Sequence, residues 1–253
     1  MLSVDSPLIR RFPRTRPSWR LVCLPYAGAG ASVFTAWPAL LPDTVEVVAV
    51  QLPGREDRVF DPPLTRLDLL VRTLAIALKP YLTTPVALYG HCAGALLAFE
   101  VAGELRTRHG LRIPHLILGS QAAPHLAERH ATALHTLPDA EFRSRLGPQG
   151  GVAPDVLADD RMMELLLPGV RADFQLWERY AYRPRPPLDC AVTVIGGDRD
   201  EQLGTGDLTA WEDHTTGPFT HHPISGGHFF LDEAPAELSR LITSALGVPE
   251  LEV

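Results

Sequence analysis

Three side chains able to exchange an acyl group stand far apart in the chain: Cys92, Asp200 and His228. Cys92 is the centre of Gly90-His91-Cys92-Ala93-Gly94, which fits the G-x-S-x-G nucleophile elbow with cysteine in the serine position. The plainer reading of those five residues is a buried cysteine in a glycine-rich turn. A nucleophile at Cys92 needs a base to take its proton, a carboxylate to hold that base in one tautomer, and N–H donors for the developing oxyanion. His228, in Ser225-Gly226-Gly227-His228-Phe229, can be the base. Asp198 and Asp200 compete for the orienting role. Asp200 lies three residues beyond Gly197, far enough into its loop to turn back toward His228, whereas Asp198 suits bonds to nearby backbone N–H groups. The amides of Ala27 and Ala93 are the candidate oxyanion donors.

These residues need a frame that brings distant positions together. Residues 86–89 form an apolar run that predicts a buried strand, and residues 95–108 predict the helix after the elbow. Further strands are predicted at 20–25, 45–51, 115–119, 190–196 and 219–224, with helices at 32–41, 68–82 and 235–246. The alternation argues for a mostly parallel, doubly wound α/β sheet. In such a sheet the carboxyl ends of the strands converge on one crevice, which is where Cys92, Asp200 and His228 fall.

Residues 120–187 break the alternation. A helix is predicted from Asp139 through Phe142, then a loop at Gly147-Pro148 and Gly150-Gly151, then two helices at 159–167 and 169–180 separated by Pro168. The segment reads as a helical lid over the end of the sheet, about residues 130–187. Met162, Met163, Leu166, Phe174 and Trp177 can line an acyl pocket there, or simply pack the insertion onto the sheet. Residues 1–19, with Arg10, Arg11, Arg14 and Arg16 among prolines, read as a mobile arm before a single domain over 20–253.

Composition narrows the function. A formal net charge of −7 gives no reason to expect nucleic acid, and no apolar stretch approaches a membrane span. The three cysteines make neither a disulfide framework nor a metal pair, which fits a reducing, cytoplasmic setting. Gly28 and Gly30 invite a dinucleotide-binding reading, but Val33 stands where the third glycine belongs. No metal and no cofactor are expected. The other histidines, His91 in the elbow included, suggest structural roles; His221 and His222 are adjacent and face opposite sides of a strand.

The order nucleophile, acid, histidine is that of α/β-hydrolases. The chain resembles the type II thioesterases that accompany polyketide synthases and nonribosomal peptide synthetases. The likeness runs through Leu24-Pro25-Tyr26-Ala27-Gly28, Leu52-Pro53-Gly54-Arg55-Glu56, the elbow, Leu137-Pro138, Arg171-Ala172-Asp173-Phe174 and Glu178-Arg179-Tyr180. It continues through Gly197-Asp198-Arg199-Asp200, Trp211 and Gly226-Gly227-His228-Phe229-Phe230-Leu231. The resemblance implies an α/β-hydrolase fold with a helical lid, and removal of stalled acyl groups from the phosphopantetheine arm of acyl or peptidyl carrier proteins. It implies Cys92 as nucleophile, Asp200 as acid, His228 as base, and Ala27 and Ala93 as oxyanion donors. The family usually has Ser-Met where Cys92-Ala93 stand. Relatives with cysteine resemble acyl or aminoacyl transferases that shuttle a group between carriers. Three readings follow: an editing hydrolase, a transferase using the same intermediate, and a non-catalytic carrier-binding module. Intact Asp200 and His228 argue against the third. A monomer is expected.

Overall fold

The computed structural model describes residues 3–127, 133–149, 151–152 and 154–249. Its eight strands form one sheet in the order β1-β2-β4-β3-β5-β6-β7-β8. They are β1 (Ser3–Ser6), β2 (Ile9–Phe12), β3 (Trp19–Leu24), β4 (Val45–Val50), β5 (Val86–His91), β6 (His115–Gly119), β7 (Ala191–Gly197) and β8 (Phe219–Ile224). From β4 across to β8 every pairing is parallel. The α-helices are α1 (Trp37–Leu40), α2 (Leu67–Leu78), α3 (Ala93–His109), α4 (Asp139–Gln149), α5 (Pro154–Ala158), α6 (Asp160–Glu178), α7 (Thr205–Thr209), α8 (Phe230–Glu233) and α9 (Pro235–Ala245).

The central strands are buried on both faces, so their sequences are continuous apolar runs, and successive residues feed two cores. Val22, Val48, Leu88, Leu116 and Val194 pack beneath α2 and α3. Leu21, Cys23, Val47, Ala87, Tyr89, Ile117 and Ile195 pack on the other side, under α1 and α9. A third, small core of Leu134, Phe142, Leu146, Met163 and Val170 belongs to the helical insertion between β6 and β7.

Three expectations need correction. The arm expected over residues 1–19 to be mobile instead contributes β1 and β2, an antiparallel hairpin that pairs Ile9 with Val50 and extends the sheet at β4. Three of its four arginines are partnered, Arg10 with Asp57, Arg11 with Asp5 and Glu46, and Arg14 with Asp43, while Arg16 is exposed. Arg10 is only 5% exposed, its stem lying along the sheet while its head reaches Asp57 and the Ser6 carbonyl. Second, α6 runs unbroken through Pro168, where two helices are predicted. Third, α4 continues through Gly147 and Pro148, where a loop is predicted. Residues 128–132, which include His130 and the beginning of the lid expected at about 130–187, lie outside the described residues, as do Gly150 and residues 250–253. No helix among the described residues is long and apolar enough to cross a membrane.

Candidate active site

The elbow forms because strand β5 must pass into helix α3 within one residue. Cys92 takes that turn at φ +51°, ψ −123°, a backbone conformation costly for any residue with a side chain. The glycines on either side permit it. A Cβ on Gly90 would lie 2.1 Å from the Gly94 carbonyl oxygen, and one on Gly94 would lie 2.2 Å from that of Leu24. Strand, helix and β3 therefore approach backbone to backbone. The Cys92 N–H donates to the Gly119 carbonyl (2.8 Å), and the Ala95 N–H donates to the Cys92 carbonyl (2.8 Å). The sulfur is left half-buried at the N-terminus of α3, where the free N–H groups and helix dipole favour negative charge.

Loops after β7 and β8 supply the other two groups. His228 Nδ1 lies 2.9 Å from Asp200 Oδ2, with both side chains largely buried. Nδ1 is taken by Asp200, which leaves Nε2 as the free ring nitrogen, and the Cys92 side chain is among the groups that favour the charged imidazole. Burial disfavours the imidazolium, but the hydrogen bond to Asp200 and the influence of Cys92 outweigh it and push His228 up to about 10. Burial likewise opposes the charged form of Asp200, yet the bond from His228 and the Gln202 N–H (2.9 Å) hold its carboxyl below the ordinary value. Asp198 does what a turn carboxylate does: its Oδ1 accepts from the Gly226 N–H at 2.9 Å. Of the two competing acids, the one paired with His228 is Asp200.

His91 fixes the histidine loop from below. Its Nε2 lies 2.8 Å from the His228 carbonyl oxygen, an acceptor, so Nε2 carries the proton and Nδ1 accepts from Tyr89 Oη at 3.3 Å. Burial lowers His91 to about 3, which keeps it neutral and structural. Tyr26 and Phe229 stand edge to face at 5.0 Å, and Phe229 meets His228 in the same way, also at 5.0 Å.

Ala93 is the first residue of α3 and is buried; Ala27 is half-buried in the loop after β3. That loop is no phosphate cradle. Glu56 Oε1 accepts the Ser32 N–H at 3.1 Å and its Oγ–H at 2.6 Å, so a carboxylate already occupies the place a dinucleotide phosphate would need. Among the described residues no cluster of His, Cys, Asp or Glu could hold a metal.

The five lid residues are all on α6 but do not share one surface. Met163 is 2% exposed inside the insertion's own core, and Phe174 packs against that core and the Phe142 ring. Trp177 packs against the main core. Met162 is 42% exposed, too open for the wall of an enclosed pocket, and Leu166 is half-buried. Two insertion residues that the sequence did not single out, Val152 and Val170, reach the loop after β3. A Cβ on Gly28 would meet Val170 at 3.6 Å and Val152 at 3.7 Å. Ser120 was also missed. It is fully buried at φ +43° after β6 and favours the charged Asp200, although its Oγ makes no well-aligned hydrogen bond. A positive φ at a serine leaves no mark in composition or periodicity.

Comparison with known proteins gives the family. Residues 19–246 match the thioesterase domain. The chain is 38% identical over 259 residues to the thioesterase PikA5 of Streptomyces venezuelae, covering all of this chain and 92% of that one. It is also 38% identical over 224 residues to a Brevibacillus parabrevis protein named linear gramicidin dehydrogenase LgrE, covering 87% of this chain and 85% of the relative. Among solved structures it is similar to the type II thioesterase BorB from the borrelidin biosynthetic cluster, with a TM-score of 0.87, 33% identity, and coverage of 98% of this chain and all of that one. The parallel eight-stranded sheet, the elbow at its centre and this match over nearly the whole length show that the chain belongs to the thioesterase family of α/β-hydrolase enzymes.

Proposed function

We propose that the protein is an editing thioesterase of polyketide or nonribosomal peptide assembly, hydrolysing acyl or aminoacyl groups from the phosphopantetheine arm of carrier proteins through a Cys92 acyl-enzyme. The observation that carries the reading is the Asp200–His228 pair at the same end of the sheet as Cys92, a residue held at φ +51° at a helix N-terminus. The names of the relatives, drawn from gramicidin, borrelidin and other biosynthetic systems, support the pathway class.

The steps follow from the groups. Cys92 gives its proton to His228, its sulfur attacks the thioester carbonyl carbon, and the oxyanion takes bonds from the amides of Ala27 and Ala93. The tetrahedral species expels the phosphopantetheine sulfur, which receives the proton of the His228 imidazolium. Neutral His228 then takes a proton from water, and the hydroxide attacks the Cys92 thioester. Cys92 leaves as the thiolate, the acid departs, and imidazolium and thiolate face each other again. Asp200 holds the ring and stabilises its charge throughout.

Cysteine at the elbow favours a second reading. Thioester exchange between two sulfurs is close to isoenergetic and reversible, so a second carrier thiol can replace the water and receive the group. One experiment addresses both. A carrier protein is loaded with a labelled acyl group, and an unloaded second carrier is supplied. Label as free acid means hydrolysis; label on the second carrier means transfer. Unconsumed substrate with no mass adduct on Cys92 would end both readings.

A further inference from the structure

The motif Leu52-Pro53-Gly54-Arg55-Glu56 and the segment Arg171-Ala172-Asp173-Phe174 have no part in the steps above, yet they meet in the interior. Arg55 is 4% exposed and Asp173 is 3% exposed. Their heads form a two-pronged pair: Arg55 Nη1 lies 2.6 Å from Asp173 Oδ2, and Nη2 lies 2.8 Å from Oδ1. Both also touch the oxyanion loop. Asp173 Oδ2 accepts the Gly28 N–H at 2.7 Å, and Arg55 Nη1 donates to the Ala29 carbonyl at 3.1 Å. Gln51, fully buried, completes the set: its Oε1 accepts the Ala31 N–H at 2.7 Å and its Nε2 donates to the Arg55 carbonyl at 3.0 Å.

The contact to Gly28 has a conformational meaning. The Ala29 N–H donates to the Tyr26 carbonyl at 3.1 Å, which closes a four-residue turn with Ala27 and Gly28 at its corners. Gly28 stands at φ +85°, the value of the third residue of a type II turn. Types I and II differ by a flip of the central peptide, the one that carries the Gly28 N–H. Asp173 takes that N–H as acceptor and so holds the flip. The Ala27 N–H belongs to the preceding peptide and is aimed by the same turn. The carboxylate that does this sits on α6, in the insertion, and not on the sheet.

Resting on the acyl-transfer reading above, we infer that Asp173 and Arg55 are positioning residues for the oxyanion donor: they hold the turn that aims the Ala27 N–H and tie its geometry to helix α6. Neither touches the reacting atoms. The pair makes the insertion a part of the catalytic geometry as well as a cover.

The test separates the oxyanion donor from the nucleophile. Attack of Cys92 on iodoacetamide expels iodide and develops no oxyanion, so alkylation reads only the sulfur and His228. Acylation by a butanoyl N-acetylcysteamine thioester needs the oxyanion site as well. In the full-length chain, Asp173→Asn is expected to slow acylation about ten- to a hundredfold through kcat, with little change in KM, and to leave alkylation within about twofold. The pair Arg55→Met with Asp173→Leu removes both charges together, avoids stranding one of them, and is expected to behave alike. Unchanged acylation overturns the inference. So does an equal fall of acylation and alkylation, or loss of the folded circular dichroism spectrum in both variants, because the pair would then serve the fold alone. Should wild type form no butanoyl-Cys92, or Cys92→Ala take up label equally well, the acyl-transfer reading itself falls and takes this inference with it.

Discussion

The loops at the carboxyl ends of β7 and β8 and the helical insertion between β6 and β7 both approach the loop after β3 but are held in different ways. The loops are fixed by short-range bonds to backbone. Asp198 accepts from the Gly226 N–H, Glu233 accepts from the Gly227 N–H at 3.0 Å, and His91 Nε2 donates to the His228 carbonyl. The insertion has a small core of its own and internal ion pairs, Arg171 with Asp139, Arg143 with Asp160 and His135 with Glu178, and it is joined to the rest of the chain by the buried pair of Arg55 with Asp173 and by Leu176, Trp177 and Tyr180 packed on the main core. The β7 and β8 loops leave the ends of packed strands, whereas the insertion reaches the loop after β3 through one buried ion pair.

Removing groups on the sheet side should have the largest effects. Cys92→Ala is expected to abolish the acyl-enzyme, read as loss of the mass adduct after mixing with an acyl thioester. Because Cys23 and Cys190 are buried, with burial pushing Cys190 up to about 12, the same variant should also lose the single rapid alkylation. Full turnover in Cys92→Ala would remove the sheet from the comparison altogether.

Next comes His228. Its replacement by alanine is expected to cost on the order of a thousandfold or more in kcat/KM. In wild type, His228 keeps its proton to about pH 10, so acylation should fall as pH rises through that value, with no such limb in His228→Ala. The sign for stability is the same. A folded-state value above the ordinary 6.5 favours the protonated native state, so this contribution is complete below 6.5 and is lost as pH climbs through about 10. Stability that rose between pH 8 and 10 would contradict the contacts drawn for His228.

The insertion is tested by two ion pairs of different depth. Arg55→Ala strands the buried Asp173 and should cost about 3–5 kcal/mol in chemical denaturation. Asp160→Ala breaks the pair with Arg143, but Asp160 is 86% exposed, and the loss should stay below about 1 kcal/mol, with alkylation of Cys92 unchanged. Equal effects from the two would erase the distinction between rim and clasp.

The strands that carry the reacting groups were legible because buried parallel strands are written as apolar runs. Residues 86–89, 115–119 and 190–196 needed no more than that, whereas 219–224, Phe219-Thr220-His221-His222-Pro223-Ile224 at the edge of the sheet, is only partly buried. Cys92, Asp200 and His228 follow from their places at strand ends, and Asp200 could be preferred to Asp198 from loop length alone. The hairpin at residues 3–12 was not legible, since its strands are four residues long and its arginines look solvated until Asp57, Glu46 and Asp43 are found opposite them. Pro168 misled for a related reason. A proline forbids one hydrogen bond, whereas the pattern from Met163 to Leu176 still buries one side of a continuous helix. Arg55 and Asp173 stand 118 positions apart, and nothing local marks either as the partner of the other.

The hairpin carries a practical warning. The family match begins at residue 19, so trimming the chain to that boundary would spare Cys92, Asp200 and His228 while stripping β1 and β2 from the border of β4. That border is Val45–Val50, six residues all buried, whose unmet amides and carbonyls would become a template for any passing strand. Such a shortened protein is expected to precipitate rather than lose its chemistry, and its insolubility would be easily misread as a defect of the active site.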